Sequence, residues 1–161
     1  MARQLQMAAQ FPPVTLLAAA ADAAGRTSVY ASLRNALKAW VVVEINQGNA
    51  ATMLLSLLQA QDSSGTGSKA ISNAAPIWLD ADTATSDALV AQTAATTLTT
   101  SAAVKDKLVV FEITPDFALD LANGFNHIAV STGASNAANV TAAHLFVYGA
   151  IQSASPPTTI A

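Results

Sequence analysis

Lys38-Ala-Trp-Val-Val-Val-Glu-Ile-Asn46 runs into Gln47-Gly48-Asn49 and then into Thr52-Met-Leu-Leu-Ser-Leu-Leu-Gln-Ala60. The first run is rich in β-branched and aromatic residues, which pack well on a pleated surface. Gly48 and Asn49 tolerate positive φ and mark a tight turn. Residues 51–61 hold enough Leu, Met, Ala and Gln to form a helix on propensity alone. A turn placed directly after a β-branched run favours a second strand, so the stretch predicts a β-hairpin.

Both faces of the first strand are apolar. Val41, Val43 and Ile45 line one side, and Trp40 and Val42 precede Glu44 on the other. Lys107-Leu-Val-Val-Phe-Glu-Ile113 repeats the pattern, with Val109, Phe111 and Ile113 on one face and Leu108 and Val110 on the other. A sheet with one wet side alternates apolar and polar more cleanly. Something is therefore expected to cover the outer face, either the ends of the chain or a neighbouring subunit.

Outward from this hairpin, further strands are expected between turn signals. Thr27–Leu33 precedes the turn Arg34-Asn35, and the loop Asp62–Ser68 separates the hairpin from Pro76–Asp80. Thr96–Thr100, Phe125–Ser131 and Val140–Ala150 complete a set of about eight with Lys107–Ile113. Even spacing of this kind is the mark of a sandwich or barrel. Thr85–Gln92 has the composition of a helical turn or two with Ser86 as cap, and Asp116–Ala122 of one helical turn between strands. The expected core comprises Val41, Val43, Ile45, Leu54, Leu58, Val109, Phe111, Ile113, Phe125, Phe146 and Tyr148.

Arg3 followed by the apolar run Val14–Ala21 has the outline of a secretory signal, but Phe11-Pro12-Pro13 interrupts it early and Asp22 late. The two prolines favour extended backbone. Residues 1–26 are read as an extended N-terminal arm, 27–151 as the β-sandwich domain and 152–161 as a C-terminal tail.

Composition narrows the functional classes. The 161 residues include 37 Ala, 16 Thr and 13 Ser, while charged residues make up 11%. An ordinary soluble domain carries about 25% charged residues. A surface built from Ala, Ser, Thr, Asn and Gln is neutral, and its small side chains lose little rotamer entropy on contact. That suits a subunit embedded in an assembly. A formal charge of −3 argues against a nucleic-acid binder, which needs a basic face. The absence of cysteine removes disulfides, thiolate chemistry and cysteine-ligated zinc. No apolar run approaches the about 18 residues of a membrane-spanning helix.

Candidate chemistry is sparse. His127 and His144 each fall in an expected strand, where a lone histidine is ordinarily structural. Asp80, Asp82 and Asp87 are carboxylates at short spacing, but they lack the glycine and bidentate glutamate of a calcium loop. Gly65-Thr-Gly67 lacks the third glycine and the Lys-Ser/Thr pair of a phosphate loop. Asn139-Val-Thr141 matches a glycosylation sequon at a strand start. No catalytic, cofactor-binding or metal-binding residue is assigned, and the chain is expected not to be an enzyme.

The stretch Tyr30-Ala-Ser-Leu-Arg-Asn-Ala-Leu-Lys-Ala-Trp-Val-Val-Val-Glu-Ile-Asn46, continued by Gln47-Gly-Asn-Ala-Ala-Thr52, resembles small virion proteins of tailed bacteriophages. So do Gln59-Ala-Gln-Asp62, Gly67-Ser-Lys-Ala-Ile71 and Ala75-Pro-Ile-Trp78, and the resemblance spans roughly residues 28 to 150. It implies a capsid decoration or cement protein that needs no active site. The expected fold is all-β, a jelly-roll-like β-sandwich of about eight strands with extended arms. The expected partners are the major capsid protein and further copies of this chain on the outer surface of the capsid, with no nucleic acid, membrane or cofactor. The competing classes are a carbohydrate-binding or host-attachment module, in which Trp40 or Trp78 stacks on a sugar ring, and a tail or connector subunit. A hydrolase has no nucleophile–base pair to support it.

Overall fold

In the computed structural model, described over residues 11–149, the chain is a β-sandwich of two antiparallel sheets. Its strands are β1 (Pro13–Ala21), β2 (Arg26–Thr27), β3 (Ala31–Ser32), β4 (Ala36–Gln47), β5 (Leu54–Ala60), β6 (Lys69–Ala70), β7 (Ala75–Asp80), β8 (Val90–Ala95), β9 (Thr97–Thr99), β10 (Asp106–Ile113), β11 (His127–Thr132) and β12 (Asn139–Gly149). A one-turn helix α1 (Pro115–Ala118) and a 3₁₀ turn (Leu121–Asn123) lie between β10 and β11. The first sheet has the order β1-β12-β4-β10-β7-β8; the second is β2-β11-β5-β6, with β3 also on β11 and β9 also on β5.

The long central strands form where β-branched density is highest. β4 pairs with β10 along its length, with Val43 opposite Val109 and Val41 opposite Phe111. On its other side β4 pairs with β12, which sets Leu145 opposite Val41 and Phe146 opposite Trp40. Asn35 supplies the turn before β4 at a φ of 62°, which short polar side chains tolerate. Pro115 starts α1 where its missing N–H costs nothing, and Gly124 closes the 3₁₀ turn in the left-handed region.

Between the sheets, Val41, Val43, Ile45, Val109, Phe111 and Ile113 are buried as expected. They meet Met53, Leu55, Leu57, Ile128 and Val130 from the second sheet. Four expected core residues lie elsewhere. Leu54 is 41% exposed and Leu58 is half-buried, because β5 turns its other face inward. Gln59 explains the inversion. It is fully buried, its amide donates to the Ala70 carbonyl and Ser72 Oγ, each at 2.9 Å, and its Oε1 accepts the Asp120 N–H at 2.8 Å. A buried amide with its groups paired is tolerated, so Leu55 and Leu57 share its side. Phe146 and Tyr148 are likewise half-buried on the outer face, and Leu145 and Val147 point inward.

The expected N-terminal arm is shorter than read. Pro13–Ala21 is an edge strand antiparallel to β12, with register shifts between Thr15 and Leu17 and between Leu17 and Ala20. The first shift turns the consecutive Leu16 and Leu17 into the core. Arg26 holds this strand: its guanidinium donates to the carbonyls of Ala18 at 2.8 Å, Ala20 at 3.0 Å and Thr141 at 2.7 Å, and to Asp22 Oδ1 at 2.9 Å. Asp22 is fully buried and also accepts from Thr132 Oγ1 at 2.7 Å. The turn between them needs Gly25, whose φ is +73° and where a Cβ would stand 2.6 Å from the Thr132 carbonyl oxygen. Residues 1–10 and the tail 152–161 lie outside the described residues.

Thr85–Gln92 does not form a helix. The Thr85 and Ser86 N–H groups both donate to the Asp82 carbonyl at 3.0 Å, closing a turn, and β8 begins at Val90.

Candidate functional site

The even-numbered residues of β4 and β12 face away from the core. There Trp40, Val42, Val110 and Phe146, joined by Phe11, line an open groove of about 280 Å³. Strand register builds it. Val42 is opposite Val110 and Trp40 is opposite Phe146, and directly opposed side chains in an antiparallel pair lie within contact distance. Phe11 stacks on Tyr148 with ring centroids 5.4 Å apart and tilts against Trp40 at 6.0 Å. The row through Val42 and Val110 continues to Trp78 on β7 and Ala91 on β8.

Polar groups border the groove without entering it. Glu112 accepts from Trp40 Nε1 at 3.3 Å and from Lys38 Nζ at 3.4 Å, and the Lys38 ammonium stands 5.9 Å from the Trp40 ring centroid. Each of the five lining side chains is apolar. Such a surface gains from contact with other apolar side chains, whereas a bound sugar needs hydrogen-bonding partners beside its stacking ring. Trp78 is 36% exposed on the same face but does not line the groove, so the structure does not bring the two tryptophans into one site.

The scarce charges are mostly engaged. Arg26–Asp22, Lys38–Glu112, Lys69–Asp120 and Lys105–Asp82 are ion pairs. Hydrogen bonds from Lys105 to Asp82 and from Lys69 to Asp120 hold both carboxyls below the usual carboxylate range. Lys107 is 2% exposed, with its ammonium on Gln47 Oε1 at 2.8 Å and the Ala103 carbonyl at 2.5 Å. Burial pushes its pKa down. Gln47 also donates to the carbonyls of Ala51 at 2.7 Å and Ser101 at 2.9 Å, so this buried lysine is part of a clamp between two loops. A second recess of about 380 Å³ lies beside it, lined by Glu44, Asn46, Thr83 and Asp106 among others. Asn46 and Asp106 there bond to each other at 2.7 Å.

The remaining sequence candidates are structural in their settings. His127 is buried, and desolvation, reinforced by the Arg34 charge, lowers its pKa against the opposing pull of Asp62. His144 is half-buried on the outer face, opposite Val42. Asp80 is buried and accepts the Asp82 N–H at 3.0 Å, Asp82 belongs to Lys105, and Asp87 is exposed. Asp62 accepts the N–H groups of Ser64 and Thr66 within the Gly65–Gly67 loop, each at 3.0 Å. Asn139 is fully buried, with its amide on Ser135 Oγ at 2.9 Å and the Ala51 carbonyl at 3.2 Å. Among the described residues no three His, Asp or Glu side chains come together as metal ligands. The doubly apolar strands signal a covered outer face, but the residue pattern does not place Phe11, Phe146 or Tyr148 on it.

No protein-family model matches the chain, and no curated protein matches it in sequence. Among solved structures it is similar to the SPBc2 prophage-derived protein YomS, with a TM-score of 0.45 and 12% identity over 84% of this chain and 90% of that one.

Proposed function

We propose that the chain is a structural subunit of a tailed-phage particle, a decoration protein that seats on the outside of the head and bridges major capsid subunits. The observation that carries this reading is the half-buried apolar groove on the first sheet, set in a chain with few charges, eight of which are joined in four ion pairs within the fold. A neutral surface with an apolar seat fits stable contact with a neighbour, because little desolvation of charge opposes it. The resemblance of residues 28 to 150 to virion proteins of tailed phages supplies the partner class. The mechanism is mechanical: each subunit adds buried area across a joint between capsid subunits, and many modest contacts act together. Negative net charge agrees with a position away from packaged DNA.

The test compares particles with and without the protein, heated until DNA is released. Release at a higher temperature with the protein bound is expected, and Val110→Asp in the groove should abolish both binding and protection. An unchanged release temperature with the protein confirmed on the head rejects the cement role. Labelling of the tail instead of the head moves the subunit to the tail or connector.

A further inference from the structure

Exposed strand edges carry unpaired N–H and C=O groups that invite another strand, and folded proteins guard them with charge, proline, bulges or brevity. Most edges here are guarded. β1 starts at Pro13, carries two register shifts and has two of its carbonyls held by Arg26. β2, β3 and β6 are two residues long and β9 is three. β8 differs. It runs for six residues at the end of the first sheet, and among the described residues its one sheet neighbour is β7. No charged residue or proline occurs between Ala88 and Val104. Leu89 is 42% and Val90 60% exposed.

We infer that β8 is a pairing edge through which two copies of this chain join antiparallel, extending the first sheet across a two-fold axis. The register follows from the ladder. The regular pairing of β8 with β7 covers Val90, Ala91 and Gln92, opposite Leu79, Trp78 and Ile77; a register shift follows, after which Ala95 stands opposite Ala75. A two-fold centred on this stretch sets Ala91 against its own copy and Val90 against Gln92. Small, neutral side chains at the centre allow close approach without like-charge repulsion, the opposite of a guarded edge. The Val90 carbonyl accepts from the Gln92 side chain at 3.0 Å, and its second lone pair is free for a partner N–H. The same register makes the outer face continuous: the row Val42, Val110, Trp78 and Ala91 runs on into Ala91, Trp78, Val110 and Val42 of the other copy. This pairing concerns the free chain and stands apart from the virion reading, whose failure would leave it intact.

Sedimentation equilibrium of the full chain over a range of concentrations tests it. A reversible monomer–dimer equilibrium is expected. Ala91 is exposed, so Ala91→Lys and Ala91→Glu should keep the unfolding midpoint measured at concentrations where the chain is monomeric. Each should weaken dimerisation about tenfold or more, and an equimolar mixture of the two should dimerise again. A chain that stays monomeric throughout, a dimer indifferent to both charges, or a mixture that fails to reassociate overturns the proposal.

Discussion

The two faces of the first sheet use the same residue types for different ends. On the inner face Val41, Val43, Val109 and Phe111 are fully buried against the second sheet. On the outer face Trp40, Val42, Val110 and Phe146 are half-buried around an open groove. The residues alternate along the same strands, so local propensity is shared by both faces. What differs is the layer opposite. The inner face has already realised its hydrophobic stabilisation in folding, while the outer face retains apolar area that only a further contact removes from water.

The largest expected break in this contrast is at the aromatic residues. Phe111→Ala removes a fully buried ring and should lower stability by about 3–5 kcal/mol. Phe146→Ala, whose ring borders the groove, should cost only about 1–2 kcal/mol, the value of a partial burial. Urea unfolding of the two variants measures the difference, and equal losses would place Phe146 in a closed core.

A finer test uses a single strand. Val43→Thr buries a hydroxyl and should cost about 1–3 kcal/mol, while Val42→Thr, one residue away on the outer face, should stay within about 0.5 kcal/mol. Chemical denaturation of the pair reads the alternation directly, and a reversed order would shift the register of β4 by one residue.

The smallest expected effect is the pH dependence of His127, the more buried of the two histidines. Burial lowers the His127 pKa below its ordinary 6.5, so the unfolded chain binds the proton more readily than the folded one. The stability from keeping His127 neutral is full above that value and is lost as the pH falls through it toward the folded pKa. His127→Gln should flatten the fall in melting temperature between about pH 7 and pH 5. A fall of the same steepness in the variant would assign it to other groups.

Much of the sandwich was legible in the sequence because its central strands are strongly β-branched. β4, β5, the turn at Asn35, β10 and the helical turn before β11 appear where the residues predict them. However, β4 and β5 do not form the expected hairpin: β4 pairs with β10 and β12 in the first sheet and β5 with β11 in the second, so the turn at Gly48-Asn49 carries the chain from one sheet to the other. β1 and β8 were missed for a shared reason. Both are rich in alanine, which carries little strand propensity, and they are strands because neighbouring edges supply hydrogen-bonding partners. The groove is foreshadowed by the apolar outer faces of β4 and β10, Trp40 included, but the residue pattern puts Phe146 and Tyr148 in the core instead.

The sequence by itself determined the class of this protein: short β-branched runs between turns, apolar on both sides, in a chain too poor in charge to solvate its surface in the ordinary way. The phase of each strand was decided only in the tertiary structure. A period of two fixes which residues share a face but not which face is inside, and strands apolar on both sides leave that choice open. In β12 the choice came from pairing with β4, which aligns Leu145 with the buried Val41 and Phe146 with Trp40. In β5 it came from loops that meet every hydrogen-bonding need of Gln59, so that a polar residue turns inward and carries Leu55 and Leu57 with it.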